Sequence, residues 1–322
     1  MPSPLPVSPP TPGLSRAFDT ALTALAPAVW GSTYLVTTEL LPPGRPLLAS
    51  TVRALPAGLV LLAIGRGLPR GAWWWRAVVL GALNIGIFFY LLFVAAYHLP
   101  GGVAALVVAV QPTVVLLLGA ALLKEPIRPA QLAACLLGVA GVALLALTPQ
   151  AGVDLAGIAA GLAAAVSMAA GIVLTKRWGR PEGVGVLTFT GWQLTAGGLL
   201  LAPVTLAVEG LPAGVSAANL EGFVYLSVIG ALLAYAVWFR GIGRLPALAV
   251  SILGFASPLA ATVLGYVVLG QRLTSLQFIG AAAVVAAVAL AQSSQPPRAG
   301  RRAAGPSPAS NQHHAPAVKG KP

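Results

Sequence analysis

Cysteine occurs once in this chain, at Cys135 within an apolar stretch, so no intramolecular disulfide is available to it. Carboxylates are nearly as scarce: seven Asp and Glu stand against 19 Lys and Arg. All of them, Asp19, Glu39, Glu125, Asp154, Glu182, Glu209 and Glu221, lie near the ends of apolar runs or outside them. That argues against the membrane-centred carboxylate relay on which drug-for-proton antiport would rest. The chain holds no P-loop GxxxxGK[ST], no Ser, His and Asp set and no cluster with metal-ligand spacing. An ATP-driven pump, an intramembrane hydrolase and a metalloenzyme are disfavoured, and no catalytic residue, metal or cofactor is expected. His313 and His314 are adjacent but have no further ligands nearby, and read as part of a solvated tail.

What is present is apolar surface. The 322 residues are 57% hydrophobic and 8% charged, and the mean hydropathy is +0.88. A helix that crosses the hydrocarbon core needs roughly 20 mainly apolar residues. Uncharged runs of about that length fall at 21–41, 46–65, 77–97, 101–122, 130–147, 155–175, 184–208, 220–239, 246–269 and 274–292. The expectation is an all-α polytopic membrane protein with ten transmembrane helices. The break between the third and fourth runs rests on His98, Pro100 and the glycines that follow. Residues 1–20 are proline-rich, lack the pattern of a cleaved signal peptide and are expected to be disordered. Residues 293–322 are polar and basic and carry the same expectation.

The formal charge of +12 is placed for orientation and not for nucleic acid, because no basic and aromatic interleaving occurs. With the N-terminus inside, all basic residues except Arg45, Arg53 and Arg272 fall in cytoplasmic segments, while Glu39, Asp154, Glu209 and Glu221 fall outside. The positive-inside rule then puts both termini in the cytoplasm, with the basic face toward anionic lipid. Trp73, Trp74 and Trp75 beside Arg76, and Trp178 beside Arg177, fit an interfacial aromatic belt on that side.

A shift of 146 positions lays Leu99 on Leu245, Pro100 on Pro246, Pro112 on Pro258, Gly119 on Gly265, Leu123 on Leu269 and Gln131 on Gln277 without a gap. Two prolines and a glycine in register are hard to obtain by chance. The chain therefore reads as two five-helix repeats, 21–147 and 148–292. An odd number of spans makes the second enter the membrane from the opposite side, giving an inverted repeat with a substrate path between the halves.

The order and spacing of AVWGSTYLV at 28–36, TVRALPAGLVLL at 51–62, PTVVLLLGAALLKEP within 93–145, and the stretch 234–290 resemble the EamA family of the drug/metabolite transporter superfamily. The likeness runs over about residues 21–292. It implies a bacterial inner-membrane transporter that exports amino acids or related metabolites by alternating access. The alternatives are efflux of hydrophobic drugs and a non-transporting scaffold or partner subunit. A small-molecule substrate and membrane lipid are the expected partners, and a homodimer is left open. Two departures concern charge: Ser257 and Gln271 stand where the family often has Glu.

Several residues are candidates for the substrate path. Trp30, Thr33, Tyr34 and Thr37 share one helical face, and Trp30 lies too near the middle of its span to act as a belt anchor. A cavity lining is the preferred reading over an interhelical hydrogen-bonding face. Gln111, Val115 and Gly119, and likewise Ser257, Ala261 and Gly265, recur at helical spacing beside Pro112 and Pro258, whose missing N–H groups free the carbonyls of Val108 and Gly254. These faces either line the path or pack closely against neighbours. Asn84, Trp192, Gln193 and Tyr235 are weaker candidates, and Trp238 reads as belt. Arg53 is the ionisable residue inside an apolar run. Snorkelling or pairing with Glu39 is the favoured reading, and attraction of an anionic substrate the alternative. The charge asymmetry predicts that a reporter fused after Lys321 reports cytoplasm; a periplasmic signal overturns the orientation.

Overall fold

The computed structural model describes residues 12–99, 101–146, 154–269 and 274–293, and among them every regular element is helical. In order these are α1 (Pro12–Trp30), α2 (Thr33–Leu40), α3 (Pro46–Gly65), α4 (Trp73–Gly81), α5 (Ile87–His98), α6 (Gly101–Val108), α7 (Gln111–Leu123), α8 (Pro129–Ala146), α9 (Leu155–Trp178), α10 (Val186–Val208), α11 (Ala217–Ser227), α12 (Ala234–Arg244), α13 (Ala247–Leu253), α14 (Ala256–Leu269) and α15 (Ser275–Ser293). Short π-helical segments, Ala82–Gly86 and Val228–Leu233, join α4 to α5 and α11 to α12 into single rods. Seven helical runs are long and apolar enough to cross a membrane: Pro46–Gly65, Trp73–His98, Val103–Leu123, Leu155–Trp178, Val186–Val208, Ala217–Arg244 and Ala247–Val268. Pro129–Leu144 and Ser275–Ala291 are shorter apolar helices.

Three expectations about elements are corrected. The first helix starts at Pro12 and not at residue 21, and its early turns are held in place because Asp19 is buried and paired with Arg240 at 2.8 Å and Arg244 at 3.2 Å. The first span is two helices, broken at Gly31 and Ser32. Pro112 and Pro258 do not kink continuous helices. Each lies in the first turn of a new one, α7 or α14, where a missing N–H removes no intrahelical bond. Residues 1–11, Pro100, Gln271, Arg272, His313, His314 and the remainder of 294–322 lie outside the described residues.

The offset of the two halves is visible in the irregular elements. The π-helical segments begin at residues 82 and 228, which is the repeat spacing read from the sequence. Packing follows the same exchange of halves: α3 lies against α10, α8 against α15, α5 against α9, and α1 against α12. Small residues permit the closest of these approaches. A Cβ on Gly198 of α10 would lie 2.7 Å from the Cα of Leu55, so only glycine lets α10 lie directly on α3. In the α8 and α15 pair, a Cβ on Gly141 would meet the Gly280 carbonyl at 2.9 Å.

Helix ends are closed by carboxylates and amides. Glu209, at the end of α10, accepts from the N–H groups of Leu47 and Leu48 at 2.7 and 2.8 Å. It thereby satisfies the start of α3 in the other half, where the helix dipole favours an anion. Ser216 and Asn219 form a reciprocal capping box on α11. Asp154 caps α9 through the N–H groups of Ala156 and Gly157 and meets His98 Nδ1 at 2.8 Å, tying α9 to the end of α5.

The hydrogen bond from His98, with those from the two backbone N–H groups, holds the Asp154 carboxyl below its ordinary value. A depressed carboxylate stabilises the fold above its unfolded-state pKa, and the contribution is lost as pH falls through the folded value. Asp154→Ala is expected to lower the melting temperature at pH 7. The difference from wild type should shrink as the pH is taken below the usual carboxylate range; a pH-independent difference would contradict the assignment.

Candidate functional site: a cavity between the two halves

The helix breaks set the site. Gly31, at the α1 and α2 junction, lies so close to α14 that a Cβ there would come within 2.8 Å of the Ala260 side chain. That approach brings Trp30 and Tyr34 opposite Ser257. Around them lies a cavity walled by Pro27, Trp30, Thr33, Tyr34, Arg53, Phe88, Leu92, Val108 and Gln111 from the first half and Met168, Trp238, Gly254 and Ser257 from the second. A smaller adjoining space runs between the breaks of α6 and α7 and of α13 and α14, past Gln111, Pro112, Ser251 and Pro258.

Six of the predicted residues are therefore brought together: Trp30, Thr33, Tyr34, Arg53, Gln111 and Ser257. Trp30 is fixed by a hydrogen bond from Nε1 to the Gly230 carbonyl at 2.8 Å, and its ring meets Tyr235 at 4.8 Å and Trp238 at 5.1 Å. Gly230 belongs to the π-helical segment before α12. There the register shift of a π-bulge alters which carbonyls remain for side-chain donors. Arg53 uses the same carbonyl: its Nη2 donates to Gly230 at 3.2 Å. Its guanidinium stacks 4.5 Å from the Phe89 ring centre. Arg53 is 1% exposed, so snorkelling is overturned, and neither Glu39 nor any other acid is paired with it among the described residues. The six residues between Arg53 and the end of its span do not free the side chain, because α5 and the π-helical segment cover it.

The remaining candidates lie elsewhere. Thr37 is buried and donates to the Thr33 carbonyl of its own helix at 2.7 Å. Tyr235 is fully buried behind Trp30 and supports the wall without lining it. Asn84 lies in the other π-helical segment and donates to Gln193 Oε1 at 2.8 Å and to Thr175 Oγ1 at 3.2 Å. Asn84 and Gln193 thus form an interhelical polar contact outside the cavity. Trp192 donates to the Gly67 carbonyl at 2.6 Å and borders an apolar groove with Leu68, Trp74 and Leu199. Gly119 is at the C-terminal end of α7, where its carbonyl accepts from Lys124, whose φ of 56° closes the helix. The surroundings of Gly265 lie outside the described residues.

Trp238 was assigned to the belt and instead is 1% exposed and forms part of the cavity wall. Its spacing of one turn from Tyr235 was the available signal, overridden by its nearness to Arg240. Phe88, Leu92, Val108 and Met168 were missed because nothing distinguishes them from other apolar span residues. Trp73 also departs from the belt reading, since it turns inward against Phe189 at 5.7 Å.

One end of the site is tied by charge. Asp19 joins α1 to α12 through Arg240 and Arg244, and Lys176 of α9 donates to the carbonyls of Ile242 and Leu245 at the end of α12.

The described residues define a helical, multi-pass membrane protein with a mainly apolar site between two related halves. Residues 20–147 and 155–292 each match the EamA-like transporter family. The chain belongs to that family, whose members are transporters and not enzymes. It is 49% identical over 83% of its length to "Protein PecM" of Dickeya dadantii, covering 90% of that protein. The "Uncharacterized inner membrane transporter YedA" of Escherichia coli K12 is 30% identical over 81% of this chain and 86% of its own. A "Probable amino-acid metabolite efflux pump" of Salmonella typhimurium is 26% identical over 83% and 92%. A solved crystal structure of a protein superposes with a TM-score of 0.72 over 85% of this chain and 96% of that one, at 23% identity, a likeness of fold.

The geometry separates support from site. Asn84→Ala would leave Gln193 without its donor and is expected to cost about 1–2 kcal/mol of stability. The melting temperature should fall while the substrate concentration for half-maximal transport is unchanged. A raised half-maximal concentration at unchanged stability would return Asn84 to the binding site.

Proposed function

We propose that this protein is a secondary transporter that exports amino acids or related small metabolites across the bacterial inner membrane by alternating access. The single observation that carries the reading is the cavity, to which both halves contribute walls: Trp30, Tyr34, Arg53 and Gln111 on one side, Met168, Trp238 and Ser257 on the other. A site at such a boundary is exposed to opposite sides of the membrane when one half rocks against the other. The amino-acid metabolite efflux pump among its relatives supports the direction and substrate class.

The proposed topology has ten spans. To the seven long runs it adds α8, α15 and the α1 and α2 pair, five in each repeat, so that the repeats are inverted and both termini are cytoplasmic. The matched π-helical segments, the paired first-turn prolines and the symmetric packing support this count. The breaks between α6 and α7 and between α13 and α14 place helix-end backbone against the cavity, where irregular backbone is tolerated within a membrane.

Counterflow of labelled amino acids and their derivatives in vesicles containing the purified chain tests the reading. Trp30→Ala or Tyr34→Ala should reduce flux at least severalfold with membrane expression intact. Unchanged flux in both variants would remove this face from the pathway. Flux of hydrophobic dyes alone would favour drug efflux, and no flux of either would favour a scaffold.

A further inference from the structure

We infer that the cavity takes a carboxylate-bearing organic monoanion with an apolar, ring-sized body and no ammonium group. This rests on the cavity being the transport site, and within amino acids and related metabolites it selects the related carboxylates that lack an ammonium group over the amino acids themselves.

The charge in the wall is the starting point. Arg53 is a cation at 1% exposure, and its guanidinium carries five N–H donors. One bond, to the Gly230 carbonyl, uses Nη2; Nε and Nη1 have no hydrogen-bond partner among the described residues. An unpaired charge with unsatisfied donors is costly in a low-dielectric interior. The Phe89 face offsets part of that cost by cation–π attraction, but it accepts none of the N–H bonds. None of the seven acids in the sequence lines the cavity. The missing counter-charge must therefore arrive with the ligand, and a carboxylate matches the flat donor fork by accepting two N–H bonds at once.

The number of charges sets the ligand's charge. Arg53 is the sole basic residue in the wall among the described residues, so one negative charge is neutralised and a doubly charged phosphate ester would remain half unpaired. The other polar groups, Thr33, Tyr34, Gln111 and Ser257, are neutral. An ammonium would find no carboxylate there and would be repelled by Arg53, which disfavours both zwitterions and amines. Gln111 Nε2, buried without a partner, is a second neutral donor suited to an anion or a carbonyl. The rest of the wall is mainly apolar: Trp30 and Trp238 meet edge-on at 5.1 Å, and Phe88, Leu92 and Met168 add to it. That surface suits a flat ring or a short hydrocarbon body.

The test is calorimetric titration of the full chain in lipid nanodiscs with four probes of similar size: 3-phenylpropionate, phenylalanine, 2-phenylethylamine and 3-phenylpropan-1-ol. The anion is expected to bind at least tenfold more tightly than each of the other three. Arg53→Met should reduce that preference below threefold, and Arg53→Lys should restore part of it. Ligand-free Arg53→Met should melt no lower than wild type, since a buried unpaired charge has been removed; a merely structural arginine would make it melt lower. Equal or tighter binding of phenylalanine or the amine, no binding by any probe, or a preference that survives Arg53→Met overturns the inference. Parallel counterflow separates it from the transport reading. Amino-acid flux without anion preference overturns the inference alone, whereas anion binding through Arg53 with no flux of any probe overturns transport and leaves the anion site.

Discussion

The carbonyl oxygen of Gly230 accepts two donors from the opposite half of the molecule, Trp30 Nε1 and Arg53 Nη2. Within a bilayer a backbone carbonyl without a partner is costly, and so is a buried indole N–H or guanidinium. Meeting at one oxygen reduces all three costs together. The contact also joins α1 and α3 to the π-helical segment before α12, so the aromatic ring and the cation that line the cavity are held at a fixed distance from each other. Without the register shift at Val228–Leu233, an ordinary helix would use this carbonyl within its own ladder, and the two side chains would lose a common anchor.

The counterpart segment, Ala82–Gly86, is put to a different use. It carries Asn84 at the position equivalent to Gly230, and the amide binds Gln193 and Thr175 on two neighbouring helices. Gly171 fits this arrangement because a Cβ there would meet the Asn84 amide. One break therefore supports the cavity wall through backbone, and the other supports the scaffold through a side chain. The same irregularity, duplicated, has diverged into a site element and a packing element.

This divergence explains which parts were legible in the sequence. Prolines and glycines in register revealed the repeat, because backbone constraints are written in residue type, but they were read as kinks within spans and the break at Gly31 and Ser32 was not foreseen. The Trp30, Thr33 and Tyr34 face was legible for the same reason, as helical spacing is local. Arg53 was visible as an anomaly, but its environment was not, since Gly230 and Phe89 come from distant segments. Trp238 was misread because its distance from Arg240 along the chain suggests an interface while the packing of α1 turns it inward. The π-helical segments carry no distinctive residue pattern. Asn84 and Gln193 could be recognised as polar and buried but not as partners, because that pairing depends on the rotation of two helices.

The placement of the acids completes the electrostatics of the cavity. Glu209 closes the start of α3, Asp154 closes the start of α9, and Asp19 binds Arg240 and Arg244. Each of these three carboxylates is held at a helix end or in an ion pair, with its charge matched by N–H groups or guanidinium. Arg53 is left as the charge that lines the cavity, in a space whose apolar walls screen it poorly. A positive potential therefore persists at the junction of the two halves. In the alternating-access cycle proposed above, the same cation would face each side of the membrane in turn, and a ligand that neutralises it would make the passage without carrying an unpaired charge between the halves.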